Sequence, residues 1–257
     1  MGSGRVMMRI LSGIISQPPA GFEVLLLASS PYAAYNFQQS DYSITAQLAD
    51  ITSNGRYLVR TGTNTLPSGP AFRSTTTKSC DFSVYNSNSD YWKDQTTPVL
   101  DVAGAATVFT LSFSHQYTDL TQQYNKVIGW RSSNSTNILS VTSGYTTGTV
   151  LSFNVSNSSG TDLTVSFDPA DTNVHIYTLT FGSSIAKLYV DGAYHSQVNI
   201  GGTGALYDST VAFQLPGSTS SPSGYEDYQT DHVAMWTREL SQSEVEAIQQ
   251  AYIAELV

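Results

Sequence analysis

Ala106-Thr107-Val108-Phe109-Thr110-Leu111-Ser112-Phe113-Ser114 is the stretch that decides the fold. Phe109, Leu111 and Phe113 fall on one side of an extended backbone, and Thr110, Ser112 and Ser114 on the other. That period of two is the signature of a β-strand with one apolar face. Working outward, residues 125–131 (NKVIGWR), 137–142 (NILSVT) and 150–155 (VLSFNV) read as further strands. Residues 175–181 (HIYTLTF) and 186–190 (AKLYV) form a hairpin through Gly182-Ser183-Ser184, and Asp191-Gly192 makes the next tight turn. Residues 211–215 and 232–237 complete the set. Strands of this length, separated by turn-rich loops, predict an all-β, antiparallel β-sandwich.

The only helix expected lies at the C-terminal end. Ser241-Gln242-Ser243-Glu244 is a capping box, with Leu240 and Val245 in the hydrophobic-staple positions. Val245, Ile248, Tyr252 and Leu256 then follow helical spacing, so this short C-terminal helix should lay one face on the sandwich. Residues 1–30 read as a separate N-terminal arm, punctuated by Pro18-Pro19, in which Val24-Leu25-Leu26-Leu27 is the apolar centre. Ile10 to Ile15 is too short an apolar run for an export signal, so the segment reads as an arm or first strand. The Ser-, Thr-, Gly- and Asn-rich stretches at 61–79, 131–136, 156–162 and 216–230 read as ordered loops.

Composition narrows the function. A chain of 257 residues suits one large β-domain, and its 40% hydrophobic content can fill a core. Only 12% of residues are charged, while 16 are Tyr and 19 are Gly, so the surface must be rich in hydroxyls, amides and phenols. A net charge of −9, with 11 scattered basic residues, lacks the positive footprint that nucleic acid requires. It also disfavours an anionic membrane surface, and no stretch approaches the length of an apolar membrane span. The single cysteine, Cys80, excludes an intrachain disulfide and reads as a small core or loop residue.

Three blocks carry a family resemblance. Ala186-Lys187-Leu188-Tyr189-Val190-Asp191-Gly192 resembles the LYVDG hairpin of laminin-G-like domains in the concanavalin A-like lectin/glucanase superfamily. Asp231-His232-Val233-Ala234-Met235-Trp236, running into Arg238-Glu239-Leu240-Ser241 and Glu244-Val245, resembles the family's last strand and short helix. Tyr35-Asn36-Phe37, followed by the loop from Asp50 to Gly55, resembles its opening strand and D-x-S-x-N-G turn. The blocks occur in the family's order and place a laminin-G/concanavalin A-like jelly roll over residues 31–257. The resemblance implies a fold, and a fold by itself hosts many functions.

The family's glucanases carry an E-x-D-x-x-E motif, and this chain has none. Its six glutamates are Glu23, Glu226, Glu239, Glu244, Glu246 and Glu255, most of them in or beside the C-terminal helix. No G-x-S-x-G is present, and His115, His175, His195 and His232 are singletons without zinc-ligand spacing, read as strand-surface residues. The expectation is therefore no catalysis. By resemblance, Asp231 occupies the position of a structural calcium ligand, with Asp227 close by, and hard carboxylate oxygens on a turn suit Ca2+. Glycan binding needs exposed aromatics beside polar groups. Tyr117 and Tyr124, in what reads as one loop, and Trp130 with Arg131 are the candidates, although Trp130 shares a face with Ile128. The sequons at Asn134, Asn154 and Asn157 are no more than such a composition produces by chance.

These readings converge on a non-catalytic binding and adhesion module on a virion surface, such as a phage capsid decoration or fibre protein, or otherwise extracellular. Its partners would be glycans or neighbouring virion subunits, with homo-oligomerisation through the N-terminal arm. The alternatives are a secreted carbohydrate-binding lectin and a glycan-active hydrolase with an unrecognised carboxylate pair.

Overall fold

Strong strand-forming alternation and tight turns produce the architecture seen in the computed structural model. The structure describes residues 21–37, 41–42, 46–61, 66–69, 71–73, 78–82, 91–94, 107–120, 125–131, 137–143, 149–156, 162–201, 213–215 and 228–257. The first elements are α1 (Phe22–Ala28), β1 (Ala33–Asn36), β2 (Asp41–Tyr42), β3 (Gln47–Ala49), β4 (Tyr57–Thr61), β5 (Leu66–Gly69), β6 (Ser79–Asp81) and β7 (Tyr91–Asp94). Then come β8 (Phe109–Tyr117), β9 (Asn125–Arg131), β10 (Asn137–Ser143), β11 (Leu151–Ser156), β12 (Asp162–Phe167), β13 (His175–Gly182), β14 (Ile185–Val190) and β15 (Ala193–Asn199). The chain closes with β16 (Gln214–Leu215), β17 (Tyr228–Thr230), β18 (His232–Trp236) and α2 (Gln242–Ala254).

Two antiparallel sheets face each other. One runs β12-β11-β10-β9-β16-β7-β4-β3. The other runs β15-β14-β13-β8 and then forks. Opposite the first half of β8 lies β18, which continues to β1; opposite the second half lies β17, which continues to β6, β5 and β2. The main core fills the space between the sheets, where Phe109, Leu111 and Phe113 of β8 meet Trp92, Trp130, Phe153 and Leu188. Both hairpin loops of the β13-β14-β15 meander hold two residues with positive φ, Ser183 and Ser184 at 50° and 65°, then Asp191 and Gly192 at 51° and 81°. This is the primed geometry that matches strand twist. The positive φ at Gly192 is what calls for glycine there; the exposed Gln250 side chain lies over it, 2.2 Å from where a Cβ would stand.

The polar face of β8 is not solvated. Thr110, Ser112 and Ser114 are fully buried because the helices lie over that side of the sheet, making a second core from Phe22, Leu26, Trp236, Val245, Ile248 and Tyr252. Gln249 of α2 satisfies the buried strand backbone. Its Nε2 donates to Ile176 O at 3.1 Å and Thr178 Oγ1 at 3.0 Å, while its Oε1 accepts from Gly192 N at 2.6 Å.

The segment Val24–Leu27, read from sequence as part of an arm or first strand, is helical instead. Phe22 and Leu26, four residues apart, both point into the second core while Val24 between them is exposed, a combination that a helix allows and a strand, which would put all three on one face, does not. Phe22 N donates to Glu255 Oε1 at 2.6 Å, tying α1 to the end of α2.

The capping box on α2 forms as expected, with Ser241 Oγ accepting from Glu244 N and the Glu244 carboxylate accepting from Ser241 N. Ser241→Ala should therefore cost about 1 kcal/mol, measured as a lower urea midpoint with an unchanged slope.

Candidate functional site

Two of the three aromatics proposed from sequence, Tyr117 and Trp130, are buried. β8 extends past the apparent turn signals, so Tyr117 continues the inward face of Phe113 and His115 and is only 4% exposed, its hydroxyl donating to Thr149 O at 3.0 Å. Trp130 is 1% exposed and packs on Phe213, with ring centroids 4.9 Å apart. Neither ring can stack on a sugar from solvent. Arg131 ends β9. Its side chain, Tyr124 and Asp227 lie outside the described residues.

Asp231 occupies the fork between β17 and β18 and is 1% exposed. Its Oδ1 accepts from Ser114 Oγ at 2.6 Å and from Tyr252 OH at 2.8 Å, and its Oδ2 accepts from Arg73 Nε at 2.7 Å. Ser114 Oγ also accepts from Asp231 N, at 2.9 Å. Arg73 is equally buried; its Nη1 reaches Glu255 Oε2 at 3.2 Å and its guanidinium lies over the Phe22 ring, 4.5 Å from the centroid. Burial works against the Arg73 charge, but Asp231 outweighs it and raises the guanidinium pKa. A calcium ion at Asp231 would have to displace a guanidinium and two hydroxyls. The Asp231 carboxylate therefore does not fit the calcium role implied by the resemblance, and no cluster of three metal-ligating groups exists among the described residues.

The histidines divide into two kinds. His115 and His232 are buried rather than on strand surfaces, and burial holds both neutral, their pKa pushed down to about 3. His175 lies between two carboxylates, with Nδ1 2.5 Å from Asp191 Oδ2 and Nε2 3.0 Å from Asp171 Oδ1. Ionised carboxylates only accept, so the pair of contacts is fully hydrogen-bonded when the ring is an imidazolium that donates from both nitrogens. Partial burial opposes that charge, yet the hydrogen bonds to Asp191 and Asp171 prevail and raise the pKa. Cys80 is fully buried, and desolvation pushes its thiol pKa far up, which makes it inert.

An open concavity among the described residues lies beside the start of α2. It has a volume of about 620 Å3, floored by Lys187 and Tyr189 of β14 and Tyr194 and Gln197 of β15, and walled by the residues leading into α2 from Glu239 to Glu244. Lys187 pairs in register with Gln197, and Tyr189 with Tyr194, so all four share the outer face. Tyr194 is 45% exposed and meets the buried Tyr189 edge-on at 5.8 Å. Lys187 Nζ donates to Glu239 Oε1 at 2.8 Å, which raises the ammonium pKa. Arg238 grips Glu244 through two hydrogen bonds, at 2.6 and 3.1 Å, and holds its carboxyl down near a pKa of about 2. An exposed phenol ring beside amides, an ammonium and carboxylates can bind a hydroxylated ligand. Sequence reasoning found the LYVDG hairpin but not this site, because β15 alternates too weakly to show its outward face.

Fold and groove together define an antiparallel jelly-roll β-sandwich with a shallow polar groove on its outer face. No family model matches the chain, and no curated protein does. Solved structures do. The receptor-binding domain of botulinum neurotoxin D superposes with a TM-score of 0.65 at 12% identity, over 88% of this chain and 54% of that one. The serotype D ligand-binding domain in complex with N-acetylneuraminic acid gives 0.64 at 11%, over 88% and 52%, and the type G receptor-binding domain 0.59 at 12%, over 86% and 51%. The chain thus spans about half the length of the structures it matches, and at this identity the likeness is one of fold.

Two outcomes follow. Arg73→Met leaves the Asp231 carboxylate buried without its counter-charge and should destabilise by about 3–5 kcal/mol, whereas the double variant with Asp231→Asn should recover much of that in chemical denaturation. The raised His175 pKa means that its contribution to stability is complete below its unfolded value, near 6.5, and is lost as pH rises through the higher folded value. A melting-temperature series across that range should fall for the native chain and flatten for His175→Gln.

Proposed function

We propose that the chain is a non-catalytic carbohydrate-binding adhesion module whose contact surface is the groove between β14, β15 and the start of α2. The exposed Tyr194 ring, set among Lys187, Gln197 and Glu239, is the observation that carries this reading. Sugar recognition requires an aromatic platform for the apolar ring face and fixed polar groups for the hydroxyls. The groove acids support binding over hydrolysis. A glycosidase acid must hold its proton near neutral pH, and Glu244 is instead locked ionised by Arg238 while Glu239 is engaged by Lys187. The fold shared with receptor-binding domains is compatible with this role.

The setting is the finer part of the proposal: display on a virion or elsewhere outside a cell, with the segment before the sandwich docking on a neighbouring subunit. The hydroxyl-rich, weakly charged composition supports it. Removing residues 1–20 tests it, since α1 belongs to the folded body and must be kept; lost assembly with an unchanged melting temperature is the expected result.

On a panel of immobilised oligosaccharides the native chain should bind, with and without EDTA. Tyr194→Ala should weaken binding by about tenfold or more while melting at the native temperature. Equal binding by the variant would remove the groove from the proposal.

A further inference from the structure

The groove's charges discriminate among sugars. Resting on the carbohydrate-binding reading, we infer that its ligand is a neutral sugar bearing a vicinal hydroxyl pair, and that sialylated and uronate-bearing glycans are excluded. One ammonium, Lys187, lines the groove against two carboxylates, Glu239 and Glu244. That ammonium is already tied to Glu239 at 2.8 Å, and both partners are about one-third exposed, so the pair presents a donor and an acceptor side by side. A vicinal diol answers that arrangement: one hydroxyl oxygen accepts from the ammonium while its neighbour donates to the carboxylate. Nothing in the pair is left over to neutralise an anion.

The other cationic features nearby are also spent. The Arg238 guanidinium is committed to both Glu244 oxygens and to Ser29 O at 2.9 Å. The positive end of α2 is closed by its own capping carboxylate, Glu244. Glu239 lies over Gly182, where a Cβ would come within 1.9 Å of Oε2, so the absent side chain there leaves room for the carboxylate. A carboxylate-bearing sugar would therefore meet a groove with a net negative lining, at a cost that no free cation among the described lining residues offsets. The Tyr194 ring supplies the sequence-tolerant part of the affinity by stacking on the apolar face of the pyranose.

The test uses the full chain and saturation-transfer NMR against two matched sets of probes, neutral hexose oligosaccharides and the same cores carrying a uronate or sialate. Neutral probes should bind with affinities that change less than about twofold between about 0.1 M and about 1 M salt, where charge pairing is screened. Acidic probes should bind at least about tenfold more weakly. Glu239→Gln frees the ammonium, so that variant should lose neutral affinity and gain acidic probes, an exchange that general damage to the fold cannot mimic. Preference for acidic probes by the native chain, reduced by Tyr194→Ala, would overturn the inference and leave the groove as the binding site. Binding of either set that ignores Tyr194→Ala, or no binding of either set by the folded chain, would overturn the carbohydrate reading of the groove itself.

Discussion

The buried pair between Arg73 and Asp231 holds the architecture together because it lies where the larger sheet divides. A strand that must pair with β6 on one side of the fork and β1 on the other has to break, and its backbone at the break needs partners. Asp231 supplies them through Ser114, whose hydroxyl accepts from Asp231 N and His232 N while donating to the carboxylate. Arg73 balances the charge from a segment far away in sequence. Tyr252 and Glu255 extend the same network into α2, and Phe22 stacks beneath the guanidinium from α1. One carboxylate thus joins both branches of the sheet and both helices. An isolated buried charge would be prohibitively costly, so the partners are mutually obligatory.

This arrangement explains why the outer face of β8 can be polar and still buried. Thr110, Ser112 and Thr178 are short hydroxyl side chains that hydrogen-bond one another, the Arg238 carbonyl and the Gln249 amide. They let the helix approach closely without stranding polar atoms. Larger apolar residues would have filled the same space but would not have fixed where α2 lies along the strands. The helix position matters, because its first turn forms one wall of the groove.

The fold was legible in the sequence where physics is local. Period-two alternation located β8, β9, β10, β11, β13 and β14, Asp191-Gly192 located a turn, and Ser241 with Glu244 located α2 to the residue. What escaped was set by tertiary context. Val24–Leu27 is apolar on every side and carries no period, so only its packing against Tyr252 and Trp236 makes it a helix. Tyr117 lies beside loop-like residues, yet the strand continues through it because β17 is there to pair with it. Asp231 was noticed for its position and given a metal; its actual partner, Arg73, is 158 residues away and leaves no local trace. His175 gave no signal either, since the turn that brings Asp191 back to it depends on register.

Division of labour across the outer face connects these points to function. α2 covers β13 and β8 but stops short of β15, which among the described residues pairs on only one side and whose residues are largely solvent-facing. Where the helix covers, side chains are small and satisfied; where it ends, they become a phenol, two amides and an ammonium–carboxylate pair. The strand edge keeps polar and aromatic groups on display and carries no long apolar run, which also protects it from pairing with other chains. The groove is therefore the margin of the same helix–sheet packing that the Arg73–Asp231 pair fixes. The same packing anchors its wall: Glu239 lies over Gly182, Leu240 N is held by Thr110 Oγ1 at 3.0 Å, and Glu244 caps the helix. The proposed sugar binding would draw on that anchoring, because sugar hydroxyls gain little over water and each side chain that must be ordered on binding would consume the small surplus.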